Sequence, residues 1–196
     1  KSEIDSGIML TAAEINEMRR KALDEITEKR KALPERYEYE IEDVPRLPNI
    51  EDVPFLTVSV SKLSQLSPAM SAMAPKVLYV PLIELKNADV ALRPFLDDGM
   101  TSVAAVLPRV IHDGEVENVR AMLGEARRLG IKEVLAGNIG HIVMARSMGF
   151  DVRGDFGLNV YNARTLNVLK ELGLKSAVLS FEMRMEQIRD MSKPID

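Results

Sequence analysis

The sequence predicts an α/β fold: an incomplete TIM-like βα barrel of about six parallel βα units, preceded by an N-terminal helix and an extended arm. Three observations lead there. After Pro54, short β-branched runs alternate with amphipathic helical stretches. Gly130 and Gly173 stand where helices should end, each followed by a strand pattern within a few residues. Each helical stretch carries the chain back to begin the next strand alongside, which makes the sheet parallel.

The element order begins with a helix over residues 11–33. Thr11 caps it, Glu14 completes a capping box, Ile15, Met18, Ala22 and Ile26 form an apolar stripe, and Pro34 stops it. Its basic residues alternate with Glu17, Asp24, Glu25 and Glu28, the pattern of a solvated helix surface. Residues 35–54 carry Pro45, Pro48, Pro54 and many acids, which disfavour helix interior and central strand alike. Residues 1–54 therefore read as connector helix and arm, and 55–196 as the partial barrel. Expected strands are 55–61, 77–80, 102–107, 133–136, 151–155 and 177–180. The clearest helices are 115–129, with Val116, Val119, Met122, Leu123 and Ala126 on one face, and 163–172, with Leu166 and Leu169.

A full eight-unit barrel takes about 250 residues, so six units fit after the arm and eight do not. An unclosed sheet has two free edges. That predicts a homodimer through those edges, exchange of elements, or a plug made by the N-terminal helix and arm. A doubly wound sheet is the alternative and requires helices on both faces.

Composition narrows the function. The chain has 196 residues, 46% hydrophobic and 29% charged, enough for one sizeable core. Its 26 Lys and Arg against 30 Asp and Glu give a net charge of -4 without a basic patch, so charge does not argue for nucleic acid. Zero cysteines exclude disulfides, thiolate metal sites, thiol nucleophiles and cysteine-held clusters within this chain. A cytoplasmic setting is expected, with no membrane span. The chain begins at Lys1 and ends just after a helical stretch, so both ends read as cuts through something longer.

Ligands of parallel βα folds meet the carboxyl ends of the strands. Polar residues there are Lys62, Arg109, the Gly137-Asn138-Ile139-Gly140 turn, Asp155, Asn159, Asn162, Ser180 and Glu182, expected to share one rim. The glycine turn offers backbone N–H groups to an anion, or simply makes a tight βα turn. Asp155, Asn159 and Asn162 supply donors and acceptors, or satisfy loop backbone. Ser180 reads as the N-cap of a following helix. His112 and His141 lack metal-ligand spacing, so no metal is expected. Lys62 has neither the phosphate loop nor the pyridinium partner that a pyridoxal-phosphate barrel needs.

The ordered stretches Gly137-Asn138-Ile139-Gly140, Gly154-Asp155-Phe156-Gly157-Leu158-Asn159-Val160-Tyr161-Asn162, Leu172-Gly173 and Val178-Leu179-Ser180-Phe181-Glu182-Met183 resemble peptidase family U32, the collagenase-like peptidases. Lys62-Leu63-Ser64-Gln65-Leu66 and Val77-Leu78-Tyr79-Val80-Pro81 suit the family's opening βα unit, and the N-terminal helix and arm resemble the connector before the final barrel module of larger members. The resemblance implies one of two activities: peptide-bond hydrolysis, or hydroxylation of RNA bases or a quinone ring with an iron–sulfur cluster held by cysteines. The family's cysteines lie downstream of the serine-x-glutamate segment, so the resemblance implies no cofactor in this chain, a cluster in the full-length protein, and a fragment inactive alone. By position, Asn138, Asp155, Asn159, Asn162, Ser180 and Glu182 match the family's polar motif and are expected to bind substrate. Asp155 or Glu182, if buried, is the candidate general base. Implied partners are a peptide or RNA substrate and the remaining domains of the parent protein. The alternatives are a non-catalytic substrate-binding or scaffolding module, and a barrel acting on a phosphorylated metabolite.

Overall fold

A computed structural model describes residues 7, 9–40, 45 and 53–195. The chain divides into two compact units, Lys1–Glu42 and Asp43–Asp196. The described part of the first is helix α1 (Ala12–Lys31) followed by irregular backbone. The Thr11 hydroxyl accepts from Glu14 N at 3.3 Å, and Glu14 Oε2 accepts from Thr11 N at 2.7 Å, which together close the expected capping box. Residues 41–44 and 46–52 of the expected arm lie outside the described residues.

The second unit runs β1 (Thr57–Ser59), α2 (Pro68–Ala72), β2 (Val77–Pro81), α3 (Asp89–Leu96), β3 (Ser102–Val106), α4 (Val116–Arg128), β4 (Glu133–Ala136), α5 (Ile139–Ser147), β5 (Asp151–Gly154), α6 (Ala163–Glu171), β6 (Leu174–Ala177) and α7 (Met185–Asp190). All six strands pair in parallel, in the order β1-β2-β3-β4-β5-β6. A doubly wound sheet reverses direction once, and this one never does. Right-handed crossovers taken always in one direction put the helices on one face and curl the sheet into a half-barrel.

The convex face is the main core. Leu78, Val80, Val103, Ala105, Val134, Val152 and Leu174 pack against Leu92 and Phe95 of α3, Val119 and Leu123 of α4, Ile142 and Ala145 of α5, and Leu166 and Leu169 of α6. The period of two sends their neighbours to the concave face, where the register aligns Tyr79, Ala104, Glu133 and Asp151 in one row and Pro81, Val106, Leu135, Arg153 and Ser176 in the next. Glu133, 7% exposed, binds Arg153 Nε at 2.6 Å and Lys175 Nζ at 3.3 Å. Arg153 also donates to Ser176 Oγ at 3.0 Å, and Lys175 pairs with Asp151 at 2.6 Å. Tyr79, three strands away on β2, lies near enough to feel the charges of Arg153 and Glu133. Burial pushes the Tyr79 hydroxyl pKa up, and the bond to Asp151 raises that of Lys175.

Successive units are latched by arginines. Arg127 of α4 donates to Met148 O, at the end of α5, at 2.7 Å, and Arg146 of α5 donates to Leu172 O, at the end of α6. The next residues, Gly149 and Gly173, both have φ +80, and a Cβ on Gly173 would lie 2.6 Å from Arg146 Cζ.

The sixth strand departs from expectation. The apolar run 177–180 marked it in the sequence, but the ladder is formed by Leu174–Ala177. Leu174 enters the core opposite Val152, a bulge between Val152 and Arg153 resets the register, and β5 ends at Gly154. Beyond that point only Val178 N to Gly154 O and an isolated Val160–Leu179 bridge continue the pairing.

Glu133→Ala removes the carboxylate that faces the buried Arg153 guanidinium and should cost about 3 kcal/mol in urea unfolding. Adding Arg153→Met should recover at least half of that loss. A single variant as stable as the parent would show that the pair carries no weight.

Candidate functional site

The strand-end rim is assembled mainly from the loops after β3, β4, β5 and β6. Asp155 N donates to Ala136 O at 2.9 Å, so the loop after β5 starts against the end of β4. Gly157 then packs on the Gly137 turn so closely that a Cβ would lie 2.6 Å from Gly137 O. Ser180 N reaches Val160 O at 2.8 Å and brings in the loop after β6. Above these contacts the Arg109 guanidinium lies 4.4 Å from the centre of the Phe156 ring, and Phe156 meets Phe181 at 5.4 Å between centroids, tilted by 42°. One cation and two rings from three loops form a single stack. Phe181 is 78% exposed, and Val110 after β3, Ile139 at the start of α5 and Tyr161 after β5 are also exposed.

The expected site residues are used locally in most cases. Asn138 caps α5, its Oδ1 accepting from Gly140 N at 2.9 Å, and Asn162 caps α6 by accepting from Thr165 N at 2.9 Å. Asp155 accepts from Phe156 N at 2.8 Å and opens the short helical turn Phe156–Leu158. Asn159 follows that turn in the left-handed region, φ 49 and ψ 54. Glu182 is exposed, and its N–H donates to Ser180 Oγ at 3.4 Å.

Ser180 is buried but does not cap a helix as expected. Residues 181–184 form a turn first, and α7 starts at Met185 with Arg184 as its cap. Lys62, on the loop after β1, lies at the same carboxyl end but at the far edge of the sheet from β5 and β6.

Sequence reasoning missed Phe156 and Phe181, and the concave set Tyr79, Glu133, Arg153 and Ser176. Tyr79, Glu133 and Arg153 were open to a period-of-two reading, since each neighbours a core aliphatic on its strand. The two rings carry no such signal, because loops have no period.

His141, in the first turn of α5, is 8% exposed, and its Nδ1 has no hydrogen-bond partner among the described residues. Burial alone lowers its pKa. Two shallow grooves of about 360 Å³ each lie on the helical wall, one between α2 and α3 and one lined by Ile142, Arg146 and Leu172, away from the stacked rings.

A parallel half-barrel with its polar motif residues and two contacting rings at the carboxyl ends of the strands defines a βα-barrel-type domain. The family model of peptidase family U32 matches residues 92–196, more than half of the chain, and the chain belongs to that family. No curated protein and no solved structure matches it. The cysteine-held iron–sulfur cluster implied for some relatives does not fit these residues, because the chain has no cysteine to ligate it. Among the described residues no helix is long and apolar enough to cross a membrane.

Two outcomes test this description. Asn159→Gly should leave stability nearly unchanged, whereas Asn159→Ala should cost about 1 kcal/mol, because alanine resists the left-handed backbone. Equal losses in urea unfolding would place the cost in the side chain. For His141, the lowered pKa means that the unfolded chain binds the proton more readily. Its contribution to stability is complete above about pH 6.5 and is lost as the pH falls towards the folded-state value. The urea midpoint should therefore drop between pH 7.5 and 5.5 by more in the parent than in His141→Gln; equal drops would assign the effect to other groups.

Proposed function

We propose that this domain is the substrate-recognition part of a U32 enzyme, and that it grips an unfolded peptide segment by its apolar side chains at the strand-end rim. The Arg109–Phe156–Phe181 stack carries the reading. Phe181 rests against Phe156, which in turn carries the Arg109 guanidinium, so the exposed ring is partly held and loses less freedom when an apolar group covers it. Val110, Ile139 and Tyr161 extend the apolar surface around the same mouth, which suits several side chains of an extended peptide. The net charge of -4 gives no long-range attraction to a phosphate backbone and favours peptide over RNA.

Bond making is assigned to groups supplied from outside these residues. Asn138, Asp155 and Asn162 already hold loop or helix backbone, and Glu182 stands in solvent, so none of them is set against a second reactive group. The six-stranded sheet has free ladders on β1 and β6 among the described residues, where further protein can complete a barrel. A cysteine-free chain suits the reducing cytoplasm.

Fluorescence anisotropy with a labelled, disordered peptide rich in Leu and Phe tests the reading. Phe181→Ala should raise the dissociation constant about tenfold, and Val143→Ala on the helical wall should leave it unchanged. Unchanged binding in Phe181→Ala, or tighter binding to a single-stranded RNA oligomer than to the peptide, would overturn it.

A further inference from the structure

Helix α1 carries a repeat that the alternation of its charges hides. Glu14-Ile15-Asn16-Glu17-Met18-Arg19-Arg20 returns eleven residues later as Glu25-Ile26-Thr27-Glu28-Lys29-Arg30-Lys31. Eleven residues make three helical turns to within about 20°, so equivalent positions fall into rows along the helix. Ile15, Met18, Ala22 and Ile26 form the apolar row. Glu14 and Glu25 run along one flank of it, and Arg19 and Arg30 along the other.

The remaining pairs lie away from this row, with Lys21 on Glu17 at 2.9 Å and Lys31 on Glu28 at 3.4 Å. No residue of α1 is buried, and Ile15, Met18 and Ile26 are 51, 63 and 48% exposed.

We propose that α1 pairs in parallel with α1 of a second copy of this chain, Ile15, Met18, Ala22 and Ile26 forming the seam. The charges select both partner and orientation. In a parallel pair the flank before each apolar position faces the partner's opposite flank, five residues further on. Glu14 then meets Arg19 of the second copy, and Glu25 meets its Arg30, on both sides of the seam. Glu14 gives Oε2 to the capping box and keeps Oε1 for this contact. An antiparallel pair would bring like flanks together, glutamate against glutamate and arginine against arginine. Lys29 takes the place of Met18 in the second repeat, and its aliphatic stem covers the seam while the ammonium stays in water. The strand-end rim plays no part in this contact.

The whole chain, examined by sedimentation velocity up to about 100 µM, should show a monomer–dimer equilibrium. Glu14→Arg with Glu25→Arg should weaken the dimer at least tenfold, as should Arg19→Glu with Arg30→Glu, and mixing the two variants should restore it. Because the chain has no cysteine, Met18→Cys reports orientation directly: residue 18 lies beside its own copy in a parallel pair, and mild oxidation should give a covalent dimer. Far-UV circular dichroism checks that each variant keeps its helix. A chain that stays monomeric, a dimer indifferent to both charge reversals, or a Met18→Cys dimer that fails to cross-link would each overturn the proposal.

Discussion

One buried carboxylate organises the concave face. Removing an ion from water costs several kcal/mol unless partners replace its hydration, so Glu133 is tolerable at the start of β4 only because Arg153 and Lys175 reach it. Those partners come from β5 and β6, and the bulge between Val152 and Arg153 is what sets Ser176 opposite Arg153 and leaves Lys175 over Glu133. The half-buried Tyr79 hydroxyl on β2 sits within reach of the same charges. Ordinary barrels fill this space with aliphatic layers. Here ionic contacts replace part of that filling, so a sheet with free edges keeps its curvature while its inner surface remains polar.

The rim uses a different economy. Its amides and Asp155 are occupied by helix starts and a tight turn, which fixes where each loop runs. Presented to solvent beside them are Val110, Ile139 and Tyr161, with the tilted pair of rings. The polar motif residues hold the loops, and under the proposed function the aromatic pair meets the peptide. Membership of the U32 family is consistent with this division, because the matched span contains every loop that contributes to the stack.

Much of this architecture was legible in the residues. Thr11 and Glu14 announced the start of α1, and glycines after α4 and α6 announced their ends, because capping and left-handed backbone depend on local chemistry. Sequential parallel order followed from the alternation of strand and helix. The sixth strand was misplaced because Val178 and Leu179 look more strand-like than Lys175 and Ser176. Its true register was fixed by β5, a contact that local propensity does not contain. The same limit hid the Arg109–Phe156–Phe181 stack, which joins residues far apart in sequence, and the burial of Ser180, which depends on the neighbouring loop.

The arginine latches give the half-barrel a direction. Arg127 closes the end of α5 and Arg146 closes the end of α6, so these two units are each finished by a side chain from the unit before. A chain emerging from the ribosome would find each clasp already in place when the next helix arrived. Assembly of the α4–α6 segment can therefore follow chain order, α4 holding the end of α5 and α5 holding the end of α6.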